Sequence, residues 1–89
     1  MTFEMLAKMV ADDFRETMND EGFDSFEQMC KCYAWEWADV KDEVDAIITE
    51  IARREHLELW MSDDQTFIQL GLDDISWRDF KRMMLAELK

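Results

Sequence analysis

Six carboxylates crowd the middle of the chain: Glu36, Asp39, Asp42, Glu43, Asp45 and Glu50, with Trp35 just before them. On a helix turning about 100° per residue, Glu36, Asp39, Glu43 and Glu50 fall on one narrow strip, and Asp42 and Asp45 carry the acid round the back. Val40, Val44, Ile47, Ile48 and Ile51 cluster beside that strip. Carboxylates four residues apart on a helix are separated by about 6 Å along its axis. Successive phosphates of a nucleic-acid strand advance by roughly 3.4 Å and lie further apart in space. Such a row can occupy arginine and lysine sites that otherwise hold a phosphate backbone. The chemistry on offer is recognition of cations, and it makes or breaks no bond.

Residue sets for catalysis or metal binding are sparse. His56 is the only histidine and sits in Arg53-Arg54-Glu55-His56, which reads as a solvated helix end. Ser25, Ser62 and Ser76 occupy cap positions and lack the glycine elbow of a nucleophile. Cys30-Lys31-Cys32 lacks zinc spacing and a second ligand pair. Asp63 to Asp74 mimics a calcium loop, but Ile68 stands where the loop needs glycine and Asp74 where it needs glutamate. There is no glycine-rich phosphate loop. No enzyme activity, cofactor or metal is expected.

The charge is unusual for a chain that folds. It holds 22 acidic and 10 basic residues, a net charge of -12 over 89 residues, yet 48% of the residues are hydrophobic, with four Trp, six Phe and eight Met. Acid at this density without apolar mass gives disorder. Here the apolar mass is present, so the charge belongs on the outside of a packed domain spanning residues 1–89. Residues 1–60 hold 16 of the acids and 6 of the bases, so the excess is concentrated there. Direct nucleic-acid binding is disfavoured and binding of a basic partner is favoured. Two cysteines do not make a disulfide framework, which reads as a reduced, cytoplasmic protein. No secretory signal or membrane-spanning run is present.

The elements that must position these residues are helical by pattern. Proline is absent and glycine occurs only at Gly22 and Gly71. A first helix is expected over 2–19, capped by Thr2, with Phe3, Leu6, Val10 and Phe14 on its apolar face and Asp12, Asp13 and Glu16 in its acidic second half. Those acids oppose the helix dipole. Asp24 and Glu27 suggest a capping box for a second helix carrying Phe26, Met29, Cys30, Tyr33 and Trp37. Trp35 lies opposite Phe26 on that helix. One long helix from Ser25 to about Glu55 would keep Trp37, Val40, Val44, Ile47, Ile48 and Ile51 in phase; a break near Asp39, with a separate helix from Val40 to about Glu55, is preferred. For 57–71, a hairpin turned at Asp63-Asp64 competes with a short helix capped by Ser62 and ended by Gly71; the short helix is preferred. Ser76 and Asp79 start the last helix. The expected fold is all-α, a compact bundle of four to five helices.

In size, charge and missing catalytic residues the chain resembles the small acidic inhibitors of phages and mobile elements, the anti-CRISPR and anti-restriction proteins among them. No motif carries that resemblance residue by residue. It implies a protein that blocks the DNA or RNA site of a nucleic-acid-binding effector, a CRISPR-Cas complex above all. The carboxylate strip with Trp35 would be the contact. The competing expectation is a helical adaptor or homodimer in which Met and Trp residues form the interface and the acid serves solubility alone.

Overall fold

The computed structural model describes all 89 residues. Four helices and a three-stranded antiparallel sheet follow one another as α1 (Phe3–Glu21), α2 (Phe26–Cys32), α3 (Trp37–Glu55), β1 (Leu59–Met61), β2 (Phe67–Leu70), β3 (Asp73–Ser76) and α4 (Trp77–Glu87). The all-α expectation is therefore wrong: the fold is mixed α and β.

The short helix expected after Ser62 is replaced by the β1–β2 hairpin. Alternation decides it. Leu59 and Met61 point into the core and Trp60 points out, while Ile68 is buried between exposed Phe67 and half-buried Gln69. That period of two suits a sheet with one covered face. Met61 pairs with Ile68 and Leu59 with Leu70. The Ser62 N–H donates to the Phe67 carbonyl at 2.9 Å, closing the loop. The loop's side chains are bonded to one another. The Ser62 hydroxyl accepts from the Phe67 N–H at 3.1 Å, and the Asp64 carboxylate accepts from the Ser62 and Thr66 hydroxyls, each at 2.7 Å. Those bonds hold the Asp64 carboxyl below the usual carboxylate range. Gly71 ends no helix. It opens the two-residue turn between β2 and β3 with φ 63, the first position at which type II′ hairpins take glycine.

Three helices end alike. Residue Gly22, Ala34 or His56 turns into the left-handed region, with φ of 76, 57 and 55. The next N–H then reaches back five residues: Phe23 to the Met18 carbonyl at 2.8 Å, Trp35 to Cys30 at 2.8 Å, and Leu57 to Ala52 at 3.0 Å. Phe23, Trp35 and Leu57 each pack onto the core, as the Schellman motif favours. Only the first of these ends uses glycine. His56→Gly and Ala34→Gly are therefore each expected to stabilise by about 0.5–1 kcal/mol, because a Cβ is disfavoured at positive φ. Thermal denaturation followed by circular dichroism should show a rise of a few degrees; a fall would show that the side chain, and not the backbone, sets the local energy.

The break in the 25–55 region lies earlier than Asp39. Glu36 takes the N-cap position of α3, and the Asp39 carboxylate reaches back to accept the Glu36 N–H at 2.9 Å. Similarly, Ser25 rather than Asp24 caps α2, accepting the Gln28 N–H at 3.1 Å. Ser76 caps α4 through the Asp79 N–H at 3.1 Å.

The core lies between α1, α3, α4 and the inner face of the sheet. Leu6, Val10, Met29, Val44, Ile48, Ile68, Phe80 and Met84 are fully buried in it, and no polar or charged residue is buried. Helix α4 packs on α1, β2 and β3, while α3 packs on β1. The outer face of the sheet is uncovered. Trp60 and Phe67, 47% and 46% exposed, sit diagonally on it, and Leu72 projects fully from the β2–β3 turn.

A candidate acidic binding face

Helix α3 presents the predicted carboxylates, but its neighbours divide them. Glu36, Asp39, Asp42, Glu43 and Glu50 are exposed, and Asp45 is half-buried. Glu50 faces α1 across a groove of about 260 Å³, in which Asp12, Asp13 and Glu16 stand opposite Ile47, Ile51 and Arg54. Glu43 and Asp39 lie on the Glu50 side of α3, within about 40° of it at 100° per residue. Asp42 points the other way, accepting the Gln65 side-chain amide at 2.8 Å from the β1–β2 loop. Glu36 and Asp39 both serve the helix start as well. Glu50 thus faces the acids of α1 across one groove, Asp39 and Glu43 continue its side of α3 by helical angle, and Asp42 is bonded to the β1–β2 loop.

Sequence reasoning did not join Asp12, Asp13 and Glu16 to the strip. The signal was their crowding in the second half of α1, where they weaken the helix. Nothing within a single helix reveals that α1 lies alongside α3.

Few of these charges are neutralised. Only Asp12, Glu50, Glu55 and Asp79, of 22 acidic residues, lie in an ion pair, with Arg15, Arg53, Arg54 and Arg82. The Arg53 guanidinium donates to both Glu50 oxygens and draws that carboxyl below its ordinary range. Exposed pairs of this kind contribute about 0–1 kcal/mol each. The acid therefore adds little to stability, and adjacent carboxylates such as Asp12 and Glu16, four apart on α1, repel.

The aromatic residues exchange the roles the sequence suggests. Trp35 is not on a helix. It lies in the Trp35–Glu36 link beyond the end of α2, half-buried, with its ring centroid 5.0 Å from Tyr33 and 6.4 Å from Phe14. Trp37 starts α3 and is 46% exposed instead of forming part of the buried stripe. The left-handed turn at Ala34 resets the helical phase, so angles counted along α2 do not carry through it. The Lys81 ammonium lies 4.4 Å from the Trp37 ring centroid and ties α4 to the start of α3.

Trp35 and Trp37 border an open cleft of about 360 Å³, floored by Phe26, Val40 and Leu85, with Glu27, Lys31 and Glu36 also lining it. The half-buried Cys30 thiol lines it too; burial pushes its pKa up and the nearby Glu27 carboxylate adds to the effect. No group of three or more His, Cys, Asp and Glu side chains is arranged to hold a metal ion. No helix is long and apolar enough to cross a membrane. No family model, curated protein sequence or solved structure matches this chain.

Proposed function

We propose that the chain is a cytoplasmic, non-enzymatic binding protein whose acidic α1–α3 face occupies a cationic surface of a nucleic-acid-binding protein. It would inhibit that protein in the manner of anti-CRISPR and anti-restriction inhibitors. One observation carries the reading: the surface bears a row of carboxylates, most of them with no internal cation, that contributes little to the fold. Asp12, Asp13, Glu16, Asp39, Glu43 and Glu50 form the contact, each accepting from arginine or lysine. Opposed fields accelerate encounter and favour basic partners over others.

Salt tests this directly. Purified RNA-guided and restriction nucleases are assayed for DNA binding with and without the protein, from about 0.05 to 0.5 M salt, a range over which screening of surface charges becomes strong. The expected result is inhibition of at least one effector that fades as salt rises. Inhibition that survives at high salt would place the contact on the uncovered sheet face, where Trp60, Phe67 and Leu72 are exposed. Self-association with no effector inhibited would support the homodimer instead.

A further inference from the structure

We infer that the cleft beside Trp35 and Trp37 takes an arginine side chain of the partner, an assignment that rests on the partner being basic. The lining is apolar at the floor and anionic at the margin: Phe26, Val40 and Leu85 against Glu27 and Glu36. Neither of those carboxylates is in an ion pair, although Lys31 also lines the cleft. An occupant must therefore combine an apolar stem with a cationic end. A purely apolar occupant would desolvate two carboxylates that no cation neutralises, which is costly. An anionic one would enter against a net charge of -12.

Arginine fits better than lysine. Its guanidinium is planar, weakly hydrated, stacks on indole faces and can bond a carboxylate through two N–H groups. The molecule already uses this attraction internally, since the Lys81 ammonium sits 4.4 Å from the Trp37 ring centroid without lining the cleft. The cleft is also continuous with the acidic face. Glu36 lines it and begins the α3 row, and Val40 on its floor belongs to the next turn of the same helix. A basic segment lying along α3 would thus reach the cleft with its terminal arginine. The volume is within the range of pockets that enclose small ligands.

The test uses the isotope-labelled full chain, titrated at low ionic strength with a short acetylated peptide containing one arginine. Matched peptides carry citrulline, which has the same shape without charge, or leucine. The indole N–H signals of Trp35 and Trp37 should shift saturably with the arginine peptide, and those of Trp60 and Trp77 should stay fixed. The citrulline and leucine peptides should bind about two- to fivefold more weakly, the factor that one exposed cation–π contact supplies. Trp37→Leu should lower arginine-peptide affinity by a similar factor. Glu27→Gln, an exposed and conservative change that leaves the fold intact, should lower it too. Equal binding of citrulline, stronger binding of leucine, or shifts confined to α1 amides would each overturn the assignment. If the α1–α3 acids prove necessary for inhibition while Trp35 and Trp37 stay silent, the cleft assignment fails alone. If the peptide seats in the cleft but no effector is inhibited, the inhibitor reading fails alone.

Discussion

Phe80→Ala should lower the thermal midpoint by roughly 15–30 °C. Phe80 is fully buried on α4, the element packed against α1, β2 and β3 together. Removing a buried phenyl ring costs about 3–5 kcal/mol, partly in lost transfer energy and partly in the cavity that remains. A domain of 89 residues has a total stability of about 4–13 kcal/mol. In a chain this short each kcal/mol moves the midpoint by about 4–8 °C. The contrast with Phe67 makes the argument specific. Phe67 has the same side chain but is 46% exposed on the open face of the sheet. Phe67→Ala should cost only about 1 kcal/mol, the size of the lost strand preference. Circular dichroism melts of the two variants check the pair. Equal losses would mean that the outer face of the sheet carries packing energy, or that α4 does not organise the core.

The ends of the helices were largely legible in the residues, because caps are local chemistry. Thr2 and Ser76 accept the N–H three residues on, as their types predict, and Gly22 ends α1 in the left-handed conformation. The break after α2 was legible in kind and misplaced by a few residues. Asp39 is a preferred N-cap type and Glu36 is not, so only the three-dimensional start of α3 shows that Glu36 takes the cap and Asp39 the third position. The strands were harder. Leu59 to Met61 and Phe67 to Leu70 are short enough to suit either period, and the loop between them carries the same Ser, Asp and Gln pattern that starts a helix. Asp73–Ser76 contains two aspartates, a residue type depleted in strands. It is extended because β2 pairs with it, Ile75 to Ile68 and Asp74 to Gln69. Pairing of that kind is tertiary information.

The candidate face was half legible for a related reason. Helical angles place Asp39, Glu43 and Glu50 together, and the structure keeps them together. The same angles say nothing about which neighbour each side meets. Asp42 accepts a hydrogen bond from Gln65 of the β1–β2 loop, and the acids of α1 supply the opposite wall of the groove. Trp35 and Trp37 exchanged roles because one alanine at positive φ interrupts the count.

Reversing Asp13, Glu16 and Glu43 together to lysine should weaken binding to a basic partner by about 100-fold while making the protein more stable. All three side chains are exposed, and none is in an ion pair or a side-chain hydrogen bond, unlike Asp39 and Asp42. Each reversal adds two charges, so the net charge moves from -12 to -6. Lysine at 16 stands four residues from both Asp12 and Asp20, turning repulsions into attractions of about 0.3 kcal/mol each. Relief of the overall repulsion adds to this, and the combined gain of about 1 kcal/mol should shrink as salt rises. Binding responds in the opposite sense. Each carboxylate that no longer meets a cation of the partner removes about 1 kcal/mol, and the three together about 3 kcal/mol, roughly two factors of ten. Repulsion from the new lysines adds to the loss. Melting curves at low and high salt, with inhibition measured on the same samples, separate the explanations for the acid. Stability gained and inhibition lost would mean that the carboxylates are kept for a partner at the expense of the fold. Stability gained with inhibition unchanged would leave them as a solubilising coat, and the contact would have to be sought on the sheet.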